Sequence, residues 1–497
     1  MGKFAFDRNR ASAPIDRMGP VTLAIALLVT LLPLGGCLTL LGGEQRVGDQ
    51  AAREIEQQTG VVRSAELESY VRAIGERLAA KSGREGPWRF VILDDPIPNA
   101  FALPGGHVYV TRGLLALGNS EDELAGVIGH EIGHVIAGHG GKRVTLNAPF
   151  AILTGITSWA TGIVSPRLGK AVSDGGTALS QGLVVAPFSR QQERDADRIG
   201  QELAAAAGWD PLGISDFLET LGRATTLMLG EERRPSWLDT HPATPQRVAQ
   251  TTERAEKLER APHRPIAPGR RGLLDRLDGL LVGPDVGHGV SVEGRFVRPD
   301  WRVSIALPED WIVRGDANTA ASQAPSGNAL AILLMAAEGD DPHLAVRALE
   351  EEIGEAIDVE EISIGKRRAL RATGSERARG GRIYYESTWV AIGGQILRLV
   401  AVCEDRQRET WRPTFDRIAQ SLRAASSLEL ASIEDTRLRS TAAEAGEVAG
   451  QLAKRTASAW SPQVIEVANA VESGHRFEDG ALVKIARKEA FTRRGQR

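Results

Sequence analysis

Along residues 120–137 the apolar positions Leu124, Val127, Ile128, Ile132 and Val135 recur at intervals of three and four, the period of an α-helix. Ser120 stands where an N-cap belongs, and Glu123, three residues on, completes a capping box. At roughly 100° per residue, His130 and His134 project within about 40° of each other, beside Gly126, Gly133 and Ala137 and away from the apolar arc. The pair therefore shares a face with room around it. His139 falls on the apolar side and is expected to be packed or locally bonded, not to act as a ligand. A second periodic stretch, "PFSRQQERDADRIGQELAAAAG", carries the stripe Ala196, Ile199, Leu203 and Ala207 behind a cap at Ser189 and puts Glu193 and Asp197 one turn apart on another face. Upstream, "RFVILDDPIPNAFALPGGHVYVTRG" predicts two strands around a turn, with alternation in "HVYVT" and breakers at Pro104, Gly105 and Gly106. His107 is expected on the surface of such a strand.

The spacing of "HEIGH" changes this from a pattern into chemistry. Two imidazoles one helical turn apart can bind a zinc ion, and Glu131 between them stands ready as general base. The bland alternative is a pair of core histidines with a solvated glutamate. A catalytic zinc needs a third protein ligand and keeps a fourth position for water, and Glu193 is the candidate. Asp197 would then accept a hydrogen bond from the outer ring nitrogen of one ligand histidine, fixing its tautomer. Alone, both acids would read as a solvated helix face.

Four stretches in order, "NAFALPGGHVYVTRGLL", "HEIGHVIAGH", "SRQQERDAD" and "THPATPQRV", resemble the HtpX-like and CAAX-prenyl-protease-type zinc metallopeptidases. The likeness is to their periplasmic branch, that of the β-barrel assembly-enhancing proteases, and runs from about residue 44 to 255. It implies a mainly helical zincin domain with a small edge sheet and one Zn2+ held by His130, His134 and Glu193. Glu131 is implied as the catalytic base and Asp197 as the orienting acid. Zinc lowers the pKa of a bound water to about 7, so that Glu131 can deprotonate it for attack on a peptide carbonyl. A second oxyanion donor is usually needed, and His241 is the best candidate. In similar proteins the histidine of this His-Pro motif lies at the active site and can block the metal's open position. A plain turn histidine before proline is the alternative. The family also places an exposed edge strand near residues 99–115, where an extended substrate could add as one more strand.

Length and charge bound the remainder. A chain of 497 residues with 42% hydrophobic content supports two to four domains, and a net charge of -4 without a basic run gives no reason to invoke nucleic acid. Arg17 precedes "GPVTLAIALLVTLLPLGGC", whose length and Leu-Gly-Gly-Cys end resemble a lipoprotein signal, with Cys37 as the lipidated residue; an uncleaved anchor is the rival. Leu38 favours the outer membrane, facing the periplasm. With Cys37 lipidated no disulfide is available, and Cys403 is expected to be a half-buried strand thiol. The apolar stretch 148–164 is expected to pack over the cleft and not to span a membrane.

These readings divide the chain into a signal peptide (1–36), a lipidated linker (37–47), the peptidase domain (48–258), a linker (259–290), an α+β accessory domain (291–428) and a C-terminal module (429–497). The accessory domain reads as strands with helices near 342–357 and 409–423. The last region resembles a LysM-type module at Leu452, Ala453, Asn469, Gly480 and "LVKIA", which would imply peptidoglycan contact; a helical tail with a short strand is the alternative. No 34-residue repeat period is found. The whole reads as an α+β, lipid-anchored zinc endopeptidase acting on misfolded or stalled envelope polypeptides. The competing class is a chaperone or binding lipoprotein whose zinc site is structural or held closed.

Overall fold

The computed structural model describes residues 36–139, 188–228, 237, 241–242, 244–262, 264–378 and 381–492. The signal segment before residue 36 and the apolar stretch 148–164 lie outside the described residues. Among the described residues, no helix is long and apolar enough to cross a membrane. The architecture is α+β: a helical unit with a three-stranded sheet, a strand-rich unit, and a small unit of two strands and two helices.

In the first unit, helix α1 (Gly36–Thr59) precedes α2 (Ala65–Ala79), then β1 (Arg89–Leu93), β2 (Ala100–Leu103) and β3 (His107–Thr111). Helices α3 (Arg112–Leu117), α4 (Glu121–Ile136), α5 (Arg190–Ala207), α6 (Gly213–Met228), α7 (Pro245–Ala255) and α8 (Gly269–Leu277) follow. The sheet order is β1-β3-β2, parallel between β1 and β3 and antiparallel between β2 and β3. Two expectations fail here. The upstream segment makes three strands, not two, and all of β3 is buried. Apolar α1 residues Ala51, Ala52 and Ile55 pack with Leu103 and Tyr109, which removes the water-facing side that alternation presumes. His107 is accordingly not a surface residue: it is 7% exposed, and its Nε2 lies 2.8 Å from Asp49 Oδ1 on α1.

The α4 helix is buried on every side over Glu123–His134. The face that carries the histidines has less room than its glycines suggest, because those glycines admit neighbouring backbone. A Cβ at Gly133 would sit 2.7 Å from the Ala196 carbonyl oxygen of α5, and one at Gly126 would sit 2.6 Å from the Ile214 nitrogen of α6. Absent side chains thus let three helices approach closely, which brings α5 within reach of the "HEIGH" histidines. The capping box is also shifted: Ser120 Oγ accepts from Glu123 N, but the Glu123 carboxylate accepts from Asn119 N instead of the cap residue.

Within 259–290, expected as linker, α8 buries Leu273, Leu274 and Leu277, and Leu273 and Leu277 belong to the same core as α4. The second unit opens with β4 (Val290–Val292), β5 (Arg295–Arg298) and β6 (Val303–Ile305), which pair antiparallel in that order. Then come β7 (Ile312–Gly315), β8 (Thr319–Gln323), β9 (Ala329–Glu338), β10 (Glu360–Ile364), β11 (Arg367–Ala378), β12 (Gly381–Ile392) and β13 (Gln395–Glu404), which form a seven-stranded antiparallel sheet in the order β10-β11-β12-β13-β9-β8-β7. The two helices expected here lie at His343–Ile353 and Arg408–Gln420. Cys403 on β13 is fully buried, not half-buried, and has no disulfide partner among the described residues. The third unit runs β (Glu434–Ala442), α (Ala449–Thr456), α (Pro462–Ala468), β (Leu482–Ala490), with its two strands paired antiparallel.

Candidate metal centre

Helix α4 presents His130 and His134 one turn apart, and the Ser189 cap starts α5 so that Glu193 and Asp197 face them. The Ser189 and Gln192 side chains form a reciprocal capping box, which fixes where that helix begins. Ligand atoms of His130, His134, Glu193 and His241 all lie within 4.8 Å of one another, the residues 0%, 3%, 4% and 1% exposed. His130 Nε2 is 3.0 Å from His134 Nε2 and 3.2 Å from His241 Nδ1. Glu193 Oε1 lies 3.3 Å from His134 Nε2 and 2.9 Å from His241 Nδ1, while its Oε2 is 3.7 Å from His130 Nε2. Around a tetrahedral ion with bonds of about 2.0–2.1 Å, neighbouring ligand atoms stand roughly 3.4 Å apart. The cage has that size.

Charge supports the same fit. Among the described residues, Glu131, Glu193 and Asp197 are all buried and Arg247 pairs with two of them, so the site is one that favours a cation. Burial alone would raise the Glu193 carboxyl, but the His241, His134 and His130 imidazoles outweigh it and hold it well below the usual carboxylate range. For Asp197, burial is outweighed by Arg247 and His130, with the same result. Burial pushes His134 well below the ordinary histidine value, keeping it in the neutral form that can ligate a metal.

The surrounding contacts set ring orientations. Asp197 Oδ1 lies 2.8 Å from His130 Nδ1, so Nδ1–H can donate to it and leave Nε2 as the ligand atom. His139 is not part of the cage; its Nδ1 lies 2.9 Å from His134 Nδ1, where it can accept that N–H as Asp197 can for His130. Glu131 Oε1 accepts the indole N–H of Trp237 at 2.9 Å and lies 3.7 Å from His241 Nε2. The backbone N–H of His241 donates to the Trp237 carbonyl, and that of Trp237 to Pro98, just before β2. Phe188 stacks on His134 with ring centroids 3.9 Å apart.

Sequence reasoning missed two residues here. Arg247 on α7 donates Nε and Nη2 to the two Asp197 oxygens at 2.8 and 2.7 Å, and its Nη1 is 2.7 Å from Glu193 Oε2. The available signal was chemical: two acids one turn apart, if buried, require a cation, and Arg247 is the penultimate residue of "THPATPQRV". Trp237 had no such signal, since its role follows from where the chain returns past Glu131.

Residues 65–255 match peptidase family M48. A β-barrel assembly-enhancing protease of Escherichia coli O157:H7 is 30% identical over 250 residues, 48% of this chain and 50% of its own. Mitochondrial metalloendopeptidase OMA1 of Arabidopsis thaliana is 38% identical over 198 residues, covering 39% of this chain and 38% of its own. The chain spans about half the length of the first of these and less of the second. Among solved structures, PsbP of Synechocystis aligns with 27% of this chain and 94% of its own at 9% identity, with a TM-score of 0.23 that carries no argument. The paired-histidine helix, its acidic partner helix and the His-Pro turn all fall inside the residues that match peptidase family M48, the part of the chain that is similar to the β-barrel assembly-enhancing proteases.

Proposed function

We propose that the chain is a zinc-dependent metalloendopeptidase that hydrolyses peptide bonds of misfolded or stalled cell-envelope proteins. The observation that carries this reading is the convergence of His130, His134 and Glu193, from two helices, beside the buried Glu131. Two imidazoles and a carboxylate are a donor set that suits zinc. Held there, zinc would lower the pKa of a water and polarise the scissile carbonyl. Glu131 takes the proton of the attacking water and hands it to the leaving amine. Trp237 orients the Glu131 carboxylate, Asp197 and His139 hold the two ring tautomers, and Arg247 fixes Glu193 and Asp197 together. Strand β2 closes one side of its sheet and packs near α4, so an extended substrate adding to it would run past the cage.

His241 takes two roles in this reading. Its Nδ1 sits inside the cage, so at rest it is a fourth donor that excludes water. Displaced, it is placed to donate to the oxyanion of the tetrahedral intermediate. The same four-donor geometry favours a second reading, a chaperone or binding lipoprotein with a permanently closed zinc site. The test is metal removal. Purified protein is expected to hold about one zinc per chain and to cleave an unfolded outer-membrane protein, with a chelator stopping cleavage and added zinc restoring it. Zinc retained by a His130→Ala, His134→Ala double variant would sink the assignment, and zinc without cleavage under any condition would favour the closed site.

We place the protein in the periplasm, anchored to the outer membrane by lipid on Cys37, because the stretch before Cys37 has the length and ending of a lipoprotein signal. Stable anchoring takes more than one acyl chain, which bacterial lipidation supplies. Cys37→Ser is expected to leave the membrane fraction; a variant still processed and membrane-bound would count against the anchor. The strand-helix-helix-strand order of residues 434–490 supports a LysM-like unit in contact with peptidoglycan.

A further inference from the structure

Among the described residues outside the metal centre, one of the most deeply buried basic side chains belongs to the C-terminal unit. Lys484 is 0% exposed, and its Nζ donates to three carbonyl oxygens of the helical unit: Ala116 at 2.9 Å, Leu117 at 3.1 Å and Gly118 at 2.9 Å. These are the last carbonyls of α3 and its C-cap, groups that a helix leaves without partners and whose dipoles favour a cation. The ammonium has three donors, and all three are used. Asn469 holds the Lys484 backbone from both sides, accepting from its N–H at 2.7 Å and donating to its carbonyl at 3.0 Å. Arg270 of α8 binds the Leu482 carbonyl, Asn469 Oδ1 and Asn119 Oδ1. Asn119 in turn gives its backbone N–H to Glu123 at 2.9 Å, in the first turn of α4.

We propose that the C-terminal unit is an intramolecular clamp on the zinc-motif helix, with Lys484 as a positioning residue that acts through the carbonyls of residues 116–118 and the cap at Asn119–Glu123. Glu123 precedes His130 by two helical turns on the same face, roughly 10 Å along the axis. A tilt at the cap therefore moves the imidazoles directly. Burial drives Lys484 below its ordinary range and Glu123 up to about 7, and each opposes the other's shift, so the two form one buried electrostatic unit across the junction. Val467 and Leu438 extend the contact by joining the apolar core that holds Leu124 and Val127. A ligand that grips the exposed loops of this unit would thus be coupled to α4 through a rigid junction, not through a flexible tether.

The test uses the full chain and hydrogen exchange at the Leu124–Gly129 amides. Lys484→Met keeps the methylene volume but takes the ammonium from three carbonyls, leaving Leu117 only its bond from Asn119 Nδ2, and is expected to speed exchange there by about tenfold, the order of losing buried charged hydrogen bonds. Turnover is expected to fall by about tenfold with KM unchanged. Leu452→Ala, a cavity within the C-terminal unit's own core, serves as the control and should leave α4 exchange at its original rate. Unchanged α4 exchange in folded Lys484→Met, or the same acceleration in both variants, would overturn the clamp. Should Lys484→Met fail to fold, Asn469→Ala is read the same way. Only the turnover arm rests on the proposed peptidase activity, so failure of that reading leaves the exchange result decisive.

Discussion

Glu131→Gln is expected to lower peptide cleavage by roughly 10²- to 10⁴-fold, the range for removing a positioned general base, while leaving metal content at the original level. The reason lies in which atoms the change touches. Glu131 contributes no atom to the set formed by His130, His134, Glu193 and His241. Its Oε1 accepts the Trp237 indole N–H at 2.9 Å, and a glutamine carbonyl accepts that bond equally well. The packing around a residue 1% exposed is preserved because the two side chains have nearly the same shape. What disappears is the capacity to take a proton from water. The measurement is turnover of an unfolded outer-membrane protein beside metal analysis of the same preparation. Full activity with zinc retained would remove Glu131 from the mechanism, whereas loss of zinc together with activity would mean that it supports the ligand set.

His241→Ala should separate gating from catalysis. In the resting geometry His241 Nδ1 is 3.2 Å from His130 Nε2 and 2.9 Å from Glu193 Oε1, inside the cage and not beside it. Removing the ring therefore opens the fourth position before it affects any transition state. A hydroxamate that binds metal at that position competes with His241 in the unaltered protein, and its apparent affinity is reduced by the fraction of molecules that are open. With an open fraction of roughly 1–10%, the variant is expected to bind it about 10- to 100-fold more tightly. If His241 also donates to the oxyanion, as proposed, cleavage per open site is expected to fall by roughly 10²- to 10³-fold. Unchanged hydroxamate affinity with that fall in cleavage would leave His241 as a donor only. Unchanged affinity with unchanged cleavage would leave it no role at the site.

The paired-histidine motif was legible because helical periodicity is a local property. The spacing of His130 and His134, the acidic pair at Glu193 and Asp197 and the caps at Ser120 and Ser189 depend on residues within a few positions, and the structure has each of these elements where periodicity places it. The strands were less legible, because alternation reports whether one face meets water. Burial of β3 under α1 depends on a segment about 50 residues upstream, so His107 reads as exposed and is found paired with Asp49. The glycines of α4 misled for the same reason: the sequence shows missing side chains, and only packing shows that the backbones of α5 and α6 occupy the space.

By itself the sequence determined the residue types that meet the metal centre, the helices that carry most of them and the α+β class, all of which follow from short-range spacing and turn chemistry. Tertiary structure alone decided the rest: that Trp237 reaches Glu131, that Arg247 binds Glu193 and Asp197 at once, that His241 enters the cage, and that Lys484 crosses 366 residues of chain to cap the segment before the zinc helix. Each is a polar group whose burial is tolerable only because a partner distant in sequence satisfies it, and such pairings leave no periodic trace along the chain.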